Sequence, residues 1–292
     1  MFIATLIAAQ RLSGGDISAA EDALRAAGLG LEGRSWVEDD KACDILFAGD
    51  PRRARTALEG LLGETDVIVQ GEANRRRKLL VADMDSTMIT VECIDELADY
   101  AGLKAEVAEV TERAMRGELV FEEALRARVA LLKGLEASAI DRCRAERVRL
   151  TPGATALVRT MRRDGALTIL VSGGFTRFAD PVGAEIGFER VVANRLGIEN
   201  ERLTGEVDAP IVGAEAKRLA LLDARTERSL APEATLAIGD GANDIPMLRE
   251  AGLGIAYRAK PSAVAAADAR IGHGDLTSVL YAMGYARRDW AA

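Results

Sequence analysis

The chain has 292 residues, of which 49% are hydrophobic, with a net charge of −8 and a pI of about 5.0. This balance is typical of a globular protein long enough for two domains. An acidic chain is a poor candidate for nonspecific binding to nucleic acids or anionic membranes. The apolar start Met1–Ala9 lacks a basic segment and predicts a strand rather than a signal peptide, and no window approaches a membrane span.

Cysteine and histidine usage disfavours several kinds of site. Cys43, Cys93 and Cys143 are scattered and match neither a disulfide framework nor a zinc spacing, which predicts reduced thiols in a cytoplasmic protein. The single histidine, His273, lies in a loop pattern and is interpreted as a surface residue. One histidine cannot form a His-cluster metal site and disfavours Ser-His-Asp or Cys-His catalysis, so acid–base work is expected from carboxylates.

Residues 1–75 have a pattern of strands and helices that is separate from the rest of the chain. The predicted elements are the strand Phe2–Ala9, the helix Asp16–Ala27, the strands Ser35–Val37 and Ala42–Ala48, the helix Pro51–Leu62 and the strand Asp66–Gln70. Their order, βαββαβ, predicts a ferredoxin-like domain. The basic run Arg75–Lys78 follows, and we interpret it as a solvated linker to a second domain of residues 76–292.

The second domain begins with an apolar run, Leu79–Ala82, that stops abruptly at two acidic residues. A run of this length predicts a buried parallel strand, and open α/β sheets bind ligands just beyond the carboxyl ends of such strands. Because positions i and i+2 of an extended backbone point the same way, Asp83 and Asp85 are expected to converge on one small site. Paired carboxylates can hold a hard cation or divide nucleophilic and acid–base duties.

A helical insertion follows this first strand, over residues 92–148. Its predicted helices are Glu92–Ala101, Lys104–Arg116, Phe121–Lys133 and Ala137–Val148. Gly102, Gly117 and Gly134 separate them, as is typical of helix ends. From Thr151 onward the pattern alternates between helix and strand to the end of the chain, which predicts βα units around a parallel sheet. The predicted fold is therefore α/β, a Rossmann-like parallel sheet with an inserted four-helix unit.

Two later apolar strands also end in polar residues. One is followed by Ser172-Gly173-Gly174 and the other by Asp240-Gly241-Ala242-Asn243-Asp244, and Lys217 lies between them in a helical pattern. Taken singly, these are common turn residues and an ordinary solvated lysine. Taken together with the two aspartates they form a set suited to phosphoryl transfer. The carboxylates suit Mg²⁺, and the hydroxyl, backbone N–H groups and lysine suit phosphate oxygens.

Four ordered motifs carry a family resemblance. They are DMDST at 83–87, VSGG at 171–174, Lys217 and GDGAND at 239–244. In this order they resemble the haloacid-dehalogenase-like superfamily of aspartate-nucleophile phosphatases. The segments VADMDSTMITVECIDELA and MRGELVFEEALRARV are more similar to its phosphoserine phosphatase family. The resemblance covers residues 77–290 and implies that the helical insertion 92–148 is a cap over the active site.

The resemblance implies a division of roles among the acidic residues. Asp83 is expected to attack phosphorus and form an aspartyl phosphate, and Asp85 to act as general acid and base. Mg²⁺ is expected to be held by the Asp83 carboxylate, the Asp85 backbone carbonyl and the Asp240 carboxylate. Asp244 is expected to brace the metal site from beside it. The residues expected to neutralise or orient the transferring phosphate are Ser172, Gly173, Lys217 and Asn243.

Substrate choice is predicted from the start of the insertion and its third helix. Phe121 and Arg128 are seven residues apart and share one helix face, and the resemblance puts both over the substrate. Phosphoserine carries an ammonium and a carboxylate beside its phosphate, and Glu92 and Arg128 supply the complementary charges. We therefore predict Mg²⁺-dependent hydrolysis of L-phosphoserine to serine and phosphate, the last step of serine biosynthesis.

Other readings of the sequence stay open. The chain could act on another small phosphomonoester such as phosphohomoserine or phosphoethanolamine, as a phosphatase or a phosphotransferase. It could instead be a non-catalytic amino-acid sensor, or a phospho-acceptor signalling domain, although the presence of Asp85 disfavours a stable phosphoaspartate. Residues 1–75 resemble the ACT-type amino-acid-sensing domains. They are expected either to bind an amino-acid effector or to serve only folding or homodimer formation.

Overall fold

The structure, a computed structural model, describes residues 1–115 and 118–291. Its N-terminal part is an antiparallel four-stranded sheet in the order β2-β3-β1-β4. The strands are β1 (Phe2–Ala8), β2 (Gly30–Glu38), β3 (Ala42–Ala48) and β4 (Thr65–Gly71), and the helices are α1 (Gly14–Ala26) and α2 (Pro51–Leu58). The predicted ferredoxin-like βαββαβ arrangement is therefore present.

Local sequence explains where these elements begin and which faces they bury. Helix α1 begins with a capping box formed by Ser13 and Asp16, and α2 begins at a proline that follows an aspartate N-cap. Alternate residues of β1, such as Leu6, pack under the helices, whereas Ile7 points to the opposite face and joins the larger core of the molecule. Both faces of β1 are thus buried, whereas the edge strand β2 is mostly exposed.

The second sheet has six parallel strands in the order β12-β11-β10-β5-β6-β7. The strands are β5 (Leu79–Ala82), β6 (Leu167–Phe175), β7 (Arg190–Asn194), β10 (Thr235–Gly239), β11 (Leu253–Tyr257) and β12 (Ala269–Ile271). The helices are α7 (Ala154–Arg163), α8 (Thr176–Ile186), α9 (Ala214–Glu227), α10 (Ile245–Glu250), α11 (Pro261–Ala266) and α12 (Thr277–Ala282). Strand β5 lies between β10 and β6 and is fully buried, as its unbroken apolar run predicts.

The cap combines helices with a β-hairpin. Its helices are α3 (Cys93–Tyr100), α4 (Lys104–Met115), α5 (Phe121–Leu131) and α6 (Ser138–Arg147); Arg116 and Gly117, which belonged to the predicted helix end and linker, lie outside the described residues. The hairpin strands are β8 (Leu196–Glu199) and β9 (Arg202–Val207). Backbone hydrogen bonds join the hairpin to the loop between α5 and α6, such as Gly134 N–H to the Leu203 carbonyl at 2.8 Å.

This hairpin corrects the prediction that helix and strand alternate around one parallel sheet from Thr151 to the end. Asn200 and Glu201 connect its strands with φ values of 49° and 59°, both in the left-handed region. Two successive residues of this kind match the twist of a tight hairpin and turn the chain back at once, so no crossover helix forms. After the core strand β7 the chain therefore forms the cap hairpin, and only then does α9 pack against the sheet.

The prediction that the basic run after β4 is a solvated linker holds for only half of it: Arg76 and Lys78 are exposed, whereas Arg75 is half-buried and Arg77 is buried. The Arg75 guanidinium forms an ion pair with Asp44 of β3 at 2.6 Å and donates to the Ala282 carbonyl at 2.7 Å. The Arg77 side chain is only 5% exposed and donates to Gln70 of β4 at 2.6 Å. Arg75 and Arg77 satisfy buried oxygens between the N-terminal sheet and the second domain. This segment therefore attaches the N-terminal sheet to the rest of the molecule.

The three cysteines are buried and unpaired, and His273 is exposed in a loop, as predicted. None of the helices in the described ranges combines the length and the apolar character that a membrane span requires.

Candidate active site

The carboxyl ends of β5, β6 and β10 meet at one edge of the parallel sheet, because these strands are neighbours in it. A cavity of about 90 Å³ opens there, between the strand ends and the cap. The predicted site residues that line it are Asp83, Asp85, Glu92, Phe121, Arg128, Gly173, Asp240 and Asn243. Convergence of these eight side chains and backbones from three strand ends and the cap is the main feature of the site.

Three further predicted residues lie buried outside the cavity lining. Ser172, Lys217 and Asp244 have no exposed surface. The Ser172 hydroxyl accepts a hydrogen bond from the Gly174 N–H at 2.8 Å, so in this structure it holds the glycine turn after β6. Complete burial rules out the alternative that Lys217 is an ordinary solvated helix lysine.

Lys217 joins two carboxylates in the interior. Its Nζ lies 2.6 Å from Oδ1 of Asp83 and 2.7 Å from Oδ1 of Asp244. Burial lowers the pKa of Lys217, but the two carboxylates outweigh this effect and hold its pKa above the ordinary value. The lysine is therefore protonated, and it fixes the orientation of Asp83.

The Asp83 carboxylate is held through one of its oxygens. Oδ1 accepts a hydrogen bond from the Met84 N–H at 2.8 Å in addition to the contact with Lys217. Among the described residues no donor contacts Oδ2. That oxygen is the one available for reaction at the cavity wall.

The turn after β10 is organised by Asp244. Its Oδ2 accepts hydrogen bonds from the N–H groups of Asp240 and Gly241 at 3.1 and 2.9 Å. Asp240 in turn accepts a hydrogen bond from the Thr87 hydroxyl at 3.1 Å. Burial, with the charge of Asp244 acting in the same direction, raises the pKa of Asp240 to about 6. Such a carboxylate is stabilised in its ionised form when a cation lies beside it.

A small hard cation fits between these carboxylates. One oxygen each of Asp83, Asp240 and Asp244 lies within 4.8 Å of the others. Oxygens that share one Mg²⁺ lie at most about 4.2 Å apart, since each is about 2.1 Å from the ion, so only a small inward shift is needed. Both oxygens of Asp244 already accept contacts from the protein. The donor set suits Mg²⁺, with Asp83 and Asp240 as the freer ligands.

Asp85 has the setting of an acid–base group. Burial, followed by the negative charge of Glu92, raises its pKa to about 7. Its Oδ1 accepts a hydrogen bond from the Cys93 N–H at 3.2 Å, which ties it to the start of the cap. A Cβ atom at Gly174 would lie 2.9 Å from the other oxygen of Asp85, so the close approach of the β6 turn depends on glycine.

The cap contributes an apolar ring and two opposite charges. The Phe121 ring packs against the β6 turn, since a Cβ atom at Gly173 would lie 3.1 Å from its Cζ. Burial holds the pKa of Arg128 below its ordinary value, and the negative charges of Asp95 and Glu92 offset this effect only in part. The Glu92 carboxylate accepts a hydrogen bond from the Ser86 hydroxyl at 2.6 Å. Glu92 and Arg128 therefore face the same cavity with opposite charge.

Two polar residues outside the four motifs also have a place at this site and were not predicted. Asn194 is 1% exposed and joins two loops, donating to the Gly173 carbonyl at 2.8 Å and accepting from the Val212 N–H at 2.7 Å. The only signal for it was an asparagine directly after an apolar strand. Lys260 lines the cavity near Asp240, and no motif pointed to it.

Known proteins match most of the chain. The haloacid dehalogenase-like hydrolase family matches residues 80–249. A phosphoserine phosphatase of Streptomyces coelicolor is 45% identical over 242 residues, which are 82% of this chain and 59% of that protein. A phosphoserine phosphatase of Polaromonas sp. is 47% identical over 208 residues, which are 70% of this chain and 88% of that protein. The chain thus spans less than two thirds of the Streptomyces relative.

Solved structures share the fold. A probable phosphoserine phosphatase from Vibrio cholerae, in unliganded form, is 33% identical with a TM-score of 0.79, and the match covers 98% of this chain and 88% of that one. A phosphoserine phosphatase solved as a phospho-aspartyl intermediate analogue is 38% identical with a TM-score of 0.65, covering 70% of this chain and 98% of that one. The chain belongs to the haloacid dehalogenase-like hydrolase family, in the branch that contains the phosphoserine phosphatases.

Proposed function

We propose that this protein hydrolyses L-phosphoserine to L-serine and inorganic phosphate with Mg²⁺ as cofactor, as the last step of serine biosynthesis. One observation carries the proposal: a single cavity combines the paired carboxylates of Asp83 and Asp85 with the opposite charges of Glu92 and Arg128. The names of its relatives, which are phosphoserine phosphatases, support the same substrate.

The chemistry assigns the nucleophile and the proton carrier to different aspartates. Oδ2 of Asp83 attacks phosphorus in line and forms an aspartyl phosphate, while Lys217 holds Oδ1. Asp85 gives its proton to the leaving serine oxygen, then takes a proton from the water that hydrolyses the aspartyl phosphate. The solved phospho-aspartyl analogue of a related phosphoserine phosphatase supports the intermediate.

Substrate recognition uses the other wall of the cavity. Glu92 binds the ammonium group of phosphoserine and Arg128 binds its carboxylate, because each charge then has an opposite partner away from water. The Phe121 ring covers the substrate from the cap side. On the core side, the Gly173 N–H and the Asn243 side chain contact the phosphate, and Ser172 supports the glycine turn from behind.

Mg²⁺ would be held by the carboxylates of Asp83 and Asp240 and by the Asp85 backbone carbonyl, with Asp244 bracing Asp240 from behind. When bound there, the ion supplies positive charge that neutralises the phosphate oxygens. Asp244 holds the turn that carries Asp240, and Lys217 holds the Asp83 carboxylate.

The N-terminal domain, residues 1–75, takes no part in the chemistry in this proposal. The cavity is lined by residues between Asp83 and Lys260, all of them outside that domain. We propose that the domain, which resembles ACT-type domains in topology, serves regulation by an amino-acid effector or assembly into a homodimer.

A phosphate-release screen tests the proposed function. The purified protein is offered L- and D-phosphoserine, phosphohomoserine and phosphoethanolamine, each with Mg²⁺ and with excess chelator. We expect L-phosphoserine to give the highest kcat/KM and chelator to abolish turnover, and Ca²⁺ to inhibit because it prefers more ligands at longer distances. Asp83→Asn protein serves as the background control. A clear preference for another phosphomonoester, or full activity in chelator, would contradict the proposal.

A further inference from the structure

Lys260 is a cation of the α/β core at the mouth of the active-site cavity. It caps helix α11, and its backbone N–H donates to the Asp240 carbonyl at 2.9 Å, which anchors it beside the turn after β10. Its side chain is exposed to solvent yet lines the same cavity as Asp83 and Asp240. An exposed residue that also lines a cavity stands where the cavity opens to water.

The cavity lining has more acidic than basic residues, so a positive charge at its mouth can affect the entry of an anion. The acidic residues of the lining are Asp83, Asp85, Glu92 and Asp240, whereas its basic residues are Arg128 and Lys260. The buried Lys217 is already occupied by two carboxylates. Phosphoserine with an ionised phosphate carries a net negative charge; the proposed Mg²⁺ neutralises Asp83 and Asp240, but the charge of Glu92 still opposes the entry of such an anion. A positive group at the mouth offsets this repulsion.

The ammonium group of Lys260 is available for that purpose. It forms no ion pair within the described ranges 1–115 and 118–291, whereas many exposed lysines and arginines of this chain do, such as Lys104 and Arg270. Its charge also reaches the cap: burial raises the pKa of Asp95, and Lys260 is one of the cations that oppose this rise. The charge of Lys260 therefore acts across the opening between core and cap.

We propose that Lys260 attracts the anionic substrate into the cavity and holds it at the mouth, without taking part in bond cleavage. This inference rests on the proposed function and extends it with a residue outside the four motifs. A lysine that acts through its charge affects binding more than the chemical step, and its effect weakens as salt screens the attraction.

Three variants test the inference. Lys260→Gln removes the charge, Lys260→Arg keeps it, and Arg258→Gln removes a charge from an exposed residue of the same loop that does not line the cavity. At low ionic strength we expect KM for phosphoserine to rise about 3- to 10-fold in Lys260→Gln, with kcat within about 2-fold of the unaltered protein. The rise should shrink in about 0.5 M salt. Lys260→Arg and Arg258→Gln should leave KM almost unchanged.

Several results would overturn the inference. An unchanged KM in Lys260→Gln would show that the charge is not used. A large fall in kcat would place the lysine in the chemistry, and a rise in KM that does not depend on salt would indicate a structural role. Binding of inorganic phosphate, measured by calorimetry with Mg²⁺ present, provides a readout independent of turnover. If the unaltered protein does not hydrolyse phosphoserine, the proposed function fails, whereas weaker phosphate binding by Lys260→Gln alone would still support the role of Lys260.

Discussion

The ion pair between Asp44 and Arg75, beside the N-terminal sheet, and the ion pair between Asp83 and Lys217, at the end of β5, have different surroundings. Asp44 in the middle of β3 pairs with Arg75 at 2.6 Å and also accepts a hydrogen bond from the Thr5 hydroxyl at 2.8 Å. Asp83 at the end of β5 pairs with Lys217 at the same distance, but one of its oxygens faces a cavity. Asp44 serves only to join protein parts, whereas Asp83 keeps an oxygen for a ligand.

The comparison shows that burial of a charge does not by itself identify a functional site. Both aspartates are about equally buried, at 3% and 5% exposure. What separates them is the position in the sheet, because the end of a parallel strand opens onto a crevice and the middle of a strand does not. Four predictions compare residues at the cavity with residues that only join parts of the protein, in order from the largest expected effect on turnover to the smallest.

Asp83→Asn should abolish turnover, by about 10³-fold or more, because an amide is a far weaker nucleophile than a carboxylate. The volume of the side chain is preserved, so the protein should remain folded. Phosphate release under single-turnover conditions measures the effect, with circular dichroism to check the fold. Activity near that of the unaltered protein would rule out Asp83 as the nucleophile.

Arg128→Ala should lower kcat/KM for phosphoserine by about 10²-fold, because the substrate carboxylate loses its partner inside the cavity. An aryl phosphate has no carboxylate, so its hydrolysis should fall by less than about 3-fold. Arg126→Ala is the matched control, since Arg126 lies on the same helix and donates to the Val207 carbonyl of the cap hairpin. Equal losses on both substrates would mean that Arg128 supports the cap rather than substrate choice.

Asp44→Asn should lower the free energy of unfolding by about 3 kcal/mol, because Arg75 is left without its anionic partner in a largely buried position. Turnover per folded molecule should stay within about 2-fold, since Asp44 has no contact with the cavity. Urea denaturation and steady-state kinetics on the same preparation provide the two measurements. A large loss of kcat without a loss of stability would show that this pair communicates with the active site.

Removal of residues 1–73 should have the smallest effect on turnover and a clear effect on stability. Asp66 of β4 accepts backbone hydrogen bonds from residues 272–274 at 2.8, 3.1 and 2.8 Å, and the truncation exposes that loop and the apolar surface beside it. We expect Mg²⁺-dependent activity to persist and Tm to fall by at least about 5 °C. If serine inhibits through the N-terminal domain, that component should disappear.

The outcome is informative only if the truncated chain folds, so its circular dichroism spectrum and elution volume must be recorded first. A folded truncated chain without any activity would contradict the proposal that residues 1–75 take no part in the chemistry.

The sequence by itself determined the architecture and the central chemistry. Unbroken apolar runs such as Leu79–Ala82 predict buried parallel strands, and polar residues placed directly after them must meet at one edge of the sheet. This reasoning is local, since it depends only on where a strand ends. It is why the positions of Asp83, Asp85 and Asp240 at one cavity could be predicted from sequence.

Only the tertiary structure decided which polar residues far apart in sequence are partners. The sequence predicts that Arg75 is solvated, yet its guanidinium is held by the Asp44 carboxylate, 31 residues away, and by the Ala282 carbonyl. Asn194 likewise becomes a joint between two loops only after the parallel sheet has placed those loops side by side. Charge and residue type are local properties, whereas burial and hydrogen-bond partners are set when separate elements pack, because only then are polar groups withdrawn from water.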